Sequence, residues 1–156
     1  MILDCTLRDG GYYCDWDFDE SIVKKYLTAV SKAKVDIVEI GFRFLPQKGH
    51  LGPFAYSTDE YLETLALPSN LDIAVMVNAK EIIEAEMEVD AVLNLLFSKK
   101  SESLVDIVRI ATHAGDIEQC KGIANNLQKL GYRVFLNLMQ IDSIDKLSLR
   151  NIAQQI

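Results

Sequence analysis

Basic residues are scarce: 16 Lys and Arg stand against 23 Asp and Glu, a net charge of -7. The longest basic runs are the pairs Lys24-Lys25 and Lys99-Lys100. Without a clustered patch to neutralise phosphates, the composition argues against nucleic acid and anionic membranes as partners. Cysteine is limited to Cys5, Cys14 and Cys120, an odd count with no Cys-x-x-Cys. That speaks against a disulfide framework and a thiolate zinc site. With only 3 Pro and 8 Gly, the chain is neither collagen-like nor of low complexity. No apolar run approaches the length of a membrane span. Asp4, Arg8 and Asp9 interrupt the N-terminus before any leader-like apolar stretch forms. These absences point to a cytoplasmic, reduced protein that acts on small molecules. Its 156 residues, 49% of them apolar, suit one domain spanning 1–156. They fall short of the roughly 250 of a complete eight-unit β/α barrel.

What is present is a repeat. Asp36 to Gly41, Asp72 to Val77 and Asp106 to Ala111 share one pattern of Asp-Ile followed by a mainly apolar stretch. Ile2 to Leu7 has Asp4 in a comparable place, and the four Asp residues lie 32, 36 and 34 positions apart. That interval fits one strand–helix unit. Arg133 to Met139 is a fifth apolar run. Near-continuous Val/Ile/Leu stretches of this length read as parallel strands buried on both faces. Between them, Glu20 to Lys34 has helical period, with Ile22, Val23, Tyr26, Leu27 and Val30 on one face and Asp19 or Ser21 as a cap. Thr58 to Leu67 and Asp116 to Leu130 are also predicted helices, the latter stopped by Gly131, and Ser143 to Ile156 is another. Ala79 to Lys100 is mostly helical, with Val89 to Phe97 open to a short extra strand. Arg43 to Ser57 is a loop. The expected fold is α/β of TIM-barrel type, represented by about five β-α units with right-handed crossovers.

The chemistry concentrates in Thr6-Leu7-Arg8-Asp9-Gly10-Gly11-Tyr12. A cation beside a carboxylate at a strand's end, followed by two glycines, stands where parallel α/β folds bind ligands. Arg8 can grip a carboxylate or an enolate oxygen with its planar fork, and Asp9 can take a hard divalent metal. A salt bridge closing a strand–helix turn is the plainer alternative. Glu39 lies within an apolar strand, where an unpaired carboxylate is costly. Arg8 is its natural partner, with Arg43 or Arg109 as the alternatives for a purely structural pair. His113 follows the fourth strand and could carry protons or touch substrate, although an exposed loop histidine is the commoner case. Asn137 and Gln140, near the end of the fifth strand, serve equally well as substrate contacts or as caps of the next helix.

Thr6-Leu7-Arg8-Asp9-Gly10, with Glu39 on the next strand, resembles the N-terminal half of the HMGL-like, or DRE-TIM, metallolyases, with 4-hydroxy-2-oxovalerate aldolase the branch most alike in look. The likeness extends less specifically over all five units, including Asp106 to Ala111 and Asn137-Leu138-Met139-Gln140. It implies that Asp9 ligates a divalent metal (Mg²⁺, Mn²⁺ or Zn²⁺), that Arg8 stabilises an enolate and that Glu39 supports Arg8. Two features depart from the family pattern. Its His-x-His ligands belong to a seventh strand, beyond these five units. Tyr12 stands close to where the aldolase branch has a catalytic His, and a phenol, with a pKa near 10, is a poor base at neutral pH.

The activity implied is metal-dependent carbon–carbon lysis, aldol cleavage or acyl condensation of a 2-oxo or hydroxy acid through an enolate. Catalytic roles fall to Arg8, Glu39 and Tyr12, substrate contacts to Asn137, Gln140 and His113, and the metal to Asp9. The isolated 156-residue chain is expected to be inactive. Two rivals are a binding module that kept the pocket without turnover and an open α/β sheet used for interaction. Open edges at the first and fifth strands invite a homo-oligomer.

Overall fold

The computed structural model describes residues 1–155. Five strands form a single parallel sheet in the order β1-β2-β3-β4-β5: Leu3–Asp4, Ile37–Phe42, Asp72–Asn78, Ile107–Thr112 and Arg133–Leu138. Helices follow or bridge them: α1 (Thr6–Gly10), α2 (Glu20–Lys32), α3 (Asp59–Glu63), α4 (Ala79–Ile83), α5 (Val89–Leu96), α6 (Ile117–Lys129) and α7 (Lys146–Gln155).

Strand order equal to chain order has a consequence. Each right-handed crossover steps the same way, so the connecting helices fall on one face of the sheet. A doubly wound sheet would reverse direction at some point and cover both faces. Burial follows the first pattern. The larger core gathers Val38, Ile40, Val75, Val108 and Ile110 with Val23, Leu27, Ile123 and Leu127 from the helices. On the opposite face a small cluster holds only Ile37, Ala74 and Ile107, flanked by Leu3 and Phe135. The result is a curled half-barrel, helices outside and strand side chains on the concave side. No described helix is long and apolar enough to cross a membrane.

Two members of the Asp repeat have a mechanical explanation, while Asp72 pairs with Arg133 at 2.7 Å. Asp36 Oδ2 accepts from the Ile2 backbone N–H at 2.6 Å, and Asp106 Oδ2 accepts from that of Ile73 at 2.9 Å. Each carboxylate clamps the start of the preceding strand. Asp4 is not an equivalent residue, because Leu3 pairs with Ile37 and Asp4 with Val38. It ends β1 instead. Its Oδ1 accepts from the Thr6 N–H at 2.9 Å, turning the chain into α1. The first strand is therefore two residues long, not six, and Arg8 and Asp9 ride on one turn of helix.

Most helices lie where their periodicity predicts. In α2, Val23, Leu27 and Val30 are buried, while Ile22 points outward; Asp19 caps the helix through the Ser21 and Ile22 N–H groups. Gly131, at φ +98°, closes α6. Val89–Leu96 is helix rather than strand. The last predicted helix runs over Lys146–Gln155, and Ile156 lies outside the described residues.

The register of β2 against β3 slips between Glu39 and Gly41. Beyond the slip, the loop after β2 crosses so closely that a Cβ on Gly41 would stand 2.0 Å from the Phe54 carbonyl oxygen. Because that obstacle is backbone, Gly41→Ala should destabilise the fold by about 3 kcal/mol. Denaturant unfolding checks this, and a loss below about 0.5 kcal/mol would contradict the packing described.

Candidate functional site

The site is built around one carboxylate. Glu39 sits on the concave face of β2 with its side chain 0% exposed. Two guanidinium groups hold it. Arg8 Nε donates to Oε1 at 2.6 Å, and Arg109 Nη1 donates to Oε2 at 2.7 Å. The line of bonds continues at both ends. Arg8 Nη1 donates to Asp9 Oδ1 at 2.8 Å, and Arg109 Nη2 donates to Asn137 Oδ1 at 2.9 Å. Five side chains from α1, β2, β4 and β5 thus form a continuous chain across the mouth of the half-barrel.

Arg109 reaches Glu39 although β3 lies between their strands. The β3 residue opposite Glu39 is Ala74, whose methyl lies on the same face as Ile37 and Ile107. A small side chain there leaves the span open. Arg8 and Arg109 are mostly covered, with 14% and 16% of their side chains exposed, whereas Asp9 is 66% exposed. Burial opposes charge on Arg8, but the hydrogen bond and the charge of Glu39, joined by Asp9, outweigh it and raise its pKa. Arg8 stays a cation. Its guanidinium also lies over the Phe42 ring, 5.7 Å from the centroid.

The backbone under Arg8 is fixed from two sides. Trp16 Nε1 donates to the Arg8 carbonyl at 2.9 Å, and the indole packs edge-on against Tyr12, Phe42 and Phe44. Gly11 makes room for that ring, because a Cβ there would fall 2.0 Å from it. Behind β1, Tyr26 donates its phenol hydrogen to Asp4 Oδ1, the oxygen that starts α1. Burial raises the Asp4 carboxyl, but the bonds from Tyr26 and Thr6 overcome this and hold it below its ordinary value of 3.8. Burial, then Asp4, push the Tyr26 phenol well above its usual 10.

The remaining predicted residues separate. Tyr12 is 61% exposed and stands edge-on to Phe42, with ring centroids 6.1 Å apart, at the border of the Arg8 patch. His113 is exposed and precedes the 3-10 turn Ala114–Asp116. Its imidazole bonds to no described residue, so the line described above does not include it. Gln140 is likewise exposed, in the left-handed region at φ 53°. Its carbonyl accepts from the Ser143 backbone N–H at 3.0 Å and from Ser143 Oγ at 2.7 Å. That is the turn-forming role, not a contact with the line. Only Asn137 of the three joins it. Arg43, an alternative partner for Glu39, belongs elsewhere: it pairs with Asp59 at 2.9 Å and lies over Phe97. The feature not settled from sequence was that Arg8 and Arg109 share Glu39.

As a metal site the donor set is incomplete. Among the described residues no three His, Cys, Asp or Glu side chains converge, and one oxygen of Asp9 is already engaged by Arg8. These residues alone do not form a metal cage.

No family model matches the sequence, and no curated protein does either. A solved structure does match: "the N-terminal domain of a putative aldolase from Bacteroides vulgatus", at 29% identity and a TM-score of 0.79. The match covers 99% of this chain and 59% of that one. This chain has that domain's fold. It spans about three-fifths of the neighbour's length.

Two predictions follow from the site's bonding. Glu39→Ala strands two cations and should cost about 3–5 kcal/mol, while Glu39→Gln, which keeps an acceptor, should cost less. Equal losses in thermal unfolding would deny the carboxylate its central place. The Tyr26–Asp4 bond needs a carboxylate and a protonated phenol. Since Asp4 is depressed, its contribution is full above about pH 3.8 and is lost as pH falls through the folded value. Tyr26→Phe should therefore cost about 1–2 kcal/mol at pH 7 and progressively less in acid below pH 4. The same deficit at pH 7 and pH 2 in urea titrations would rule this out.

Proposed function

We propose that this chain forms the N-terminal half of the active site of an aldolase or lyase that cleaves or makes a carbon–carbon bond in a 2-oxo acid through an enolate. The observation that carries the proposal is the fixed guanidinium of Arg8. Its Nε and Nη1 are tied to Glu39 and Asp9, while Nη2 bonds to no described residue. No buried side-chain nitrogen or oxygen among the described residues lacks a partner, so Nη2 reaches solvent. The similarity to the aldolase domain supports the same reading, as does the position at the carboxyl end of the strands.

In aldol cleavage the bond between C3 and C4 of a 4-hydroxy-2-oxo acid breaks. Its electron pair passes into the C2–C3 enolate, and the C4 hydroxyl loses its proton as it becomes a carbonyl. Negative charge thus grows on the C2 oxygen. Arg8 Nη2 is the donor placed to meet it, already oriented and partly dehydrated, so little reorganisation is needed as the charge forms. Glu39 positions Arg8. A phenol is protonated at neutral pH, so Tyr12, at the border of the patch, is placed to give a proton to the enolate carbon, while the C4 hydroxyl proton leaves to water. Asp9 can give one carboxylate oxygen to a divalent metal, which would need its other ligands from outside these residues. The chemistry assigned to Arg8 does not pass through a metal.

The test is exchange of the pyruvate methyl hydrogens with deuterated water, followed by NMR with Mg²⁺ present, because the enolate is the shared intermediate of both directions. The protein in its full natural length should catalyse exchange. Arg8→Ala should slow it by about 10²–10³, the usual loss for a donor to a developing oxyanion. No catalysed exchange, or an Arg8→Ala rate within twofold of the wild type, would sink the proposal.

A further inference from the structure

We infer that Arg109 and Asn137 form an anion subsite that takes the carboxylate of the substrate, beside the position where Arg8 meets the oxo group. The argument begins with charge. Arg8 and Arg109 approach the same buried carboxylate, so two cations share one full counter-charge. Arg8 has a second anion in Asp9. Arg109 has none among the described residues: besides Glu39 its only side-chain partner there is the neutral Asn137. A mostly covered guanidinium with half a counter-ion is an incomplete arrangement, and one further carboxylate completes it.

Donors without a partner lie beside that charge. Arg109 Nε and Asn137 Nδ2 bond to no described residue, and neither is sealed in, since no buried polar side-chain atom among the described residues is unpartnered. With Arg8 Nη2 they make three unclaimed donors along one line, which Glu39 holds at a fixed spacing. They also stand on one face. Arg109 pairs in register with Phe135, and Ala111 with Asn137. Residues of this parity share the concave side with Ile107 and Phe135. A small acid whose carboxylate lies against Arg109 and Asn137 brings its C2 oxygen towards Arg8, since the two carbons are directly bonded. Glu39 is then the pivot that sets one guanidinium for the oxyanion and the other for the carboxylate.

That the bound acid is a 2-oxo acid rests on the proposal above; the subsite itself rests on geometry and charge. The experiment compares two probes of similar size, pyruvate and hydroxyacetone, which keeps the ketone but has a hydroxymethyl group in place of the carboxylate. Dissociation constants are measured by NMR titration of the full natural-length protein and of Arg109→Gln and Arg109→Lys. Pyruvate binding should weaken about ten- to hundredfold in Arg109→Gln, the range for a lost hydrogen bond to a charged group, with hydroxyacetone within twofold of the wild type. Arg109→Lys keeps the charge and guards against misfolding. Its single ammonium cannot serve Glu39, Asn137 and a ligand together, so it should also bind pyruvate at least about fivefold more weakly while hydroxyacetone is spared. Parallel losses for both probes would reduce Arg109 to a structural support and overturn the inference. Unchanged pyruvate affinity, or no pyruvate binding by the wild type, would do the same. Arg109-dependent binding without methyl exchange would leave the subsite standing and remove the aldolase. Exchange with Arg109-independent binding would do the reverse.

Discussion

A carboxylate removed from water must be answered by charge, and the arrangement around Glu39 follows from that requirement. Burying an ionised group unpaired would cost more than most folds have to spare. Glu39 is therefore bonded on both oxygens, to Arg8 from α1 and Arg109 from β4. The same two bonds join elements that the sheet does not place side by side, because β1 and β4 lie on either side of β2 and β3. One carboxylate thus ties α1, β2 and β4 together across the concave face of an open sheet.

Support for that interaction lies on the other side of the chain. α1 is one turn long and too short to hold itself. It is started by Asp4, which Tyr26 steadies from α2, and its carbonyl at Arg8 is gripped by Trp16. The β2 strand, where Glu39 sits, slips its register just after that residue. Local irregularities of this kind recur beside functional residues because they re-aim a side chain without disturbing the strand. Here regular strands supply the scaffold, and the irregular pieces aim the charged groups.

Much of this was legible in the sequence. The Asp-led apolar runs marked β2, β3 and β4, since buried parallel strands need continuous hydrophobic stretches and their spacing leaves room for one helix. Glu39 stood out because a carboxylate amid Val38 and Ile40 demands a partner. The first strand was overestimated: apolar pattern cannot show that the Asp4 side chain captures the Thr6 N–H and ends the strand early. Arg8 is the partner that the sequence proposes for Glu39, and it is one; that Arg109 shares the carboxylate was hidden. Seeing this requires knowing that Ala74 lies opposite Glu39 and leaves the crossing clear, which depends on strand register rather than on composition. Gln140 and His113 show the converse. Both follow strands, as the sequence indicates, yet the Gln140 carbonyl serves a turn and His113 is exposed, so neither joins the line around Glu39.

Trp16 is the chain's sole tryptophan, and its indole nitrogen is bonded to the backbone of the residue proposed to meet the enolate. Indole emission responds to the hydrogen bond it donates and to nearby charge. The protein therefore carries a single built-in optical reporter, wired to the turn that bears Arg8. A ligand that moves that turn alters the light from one known position, with no label added and no second indole to subtract.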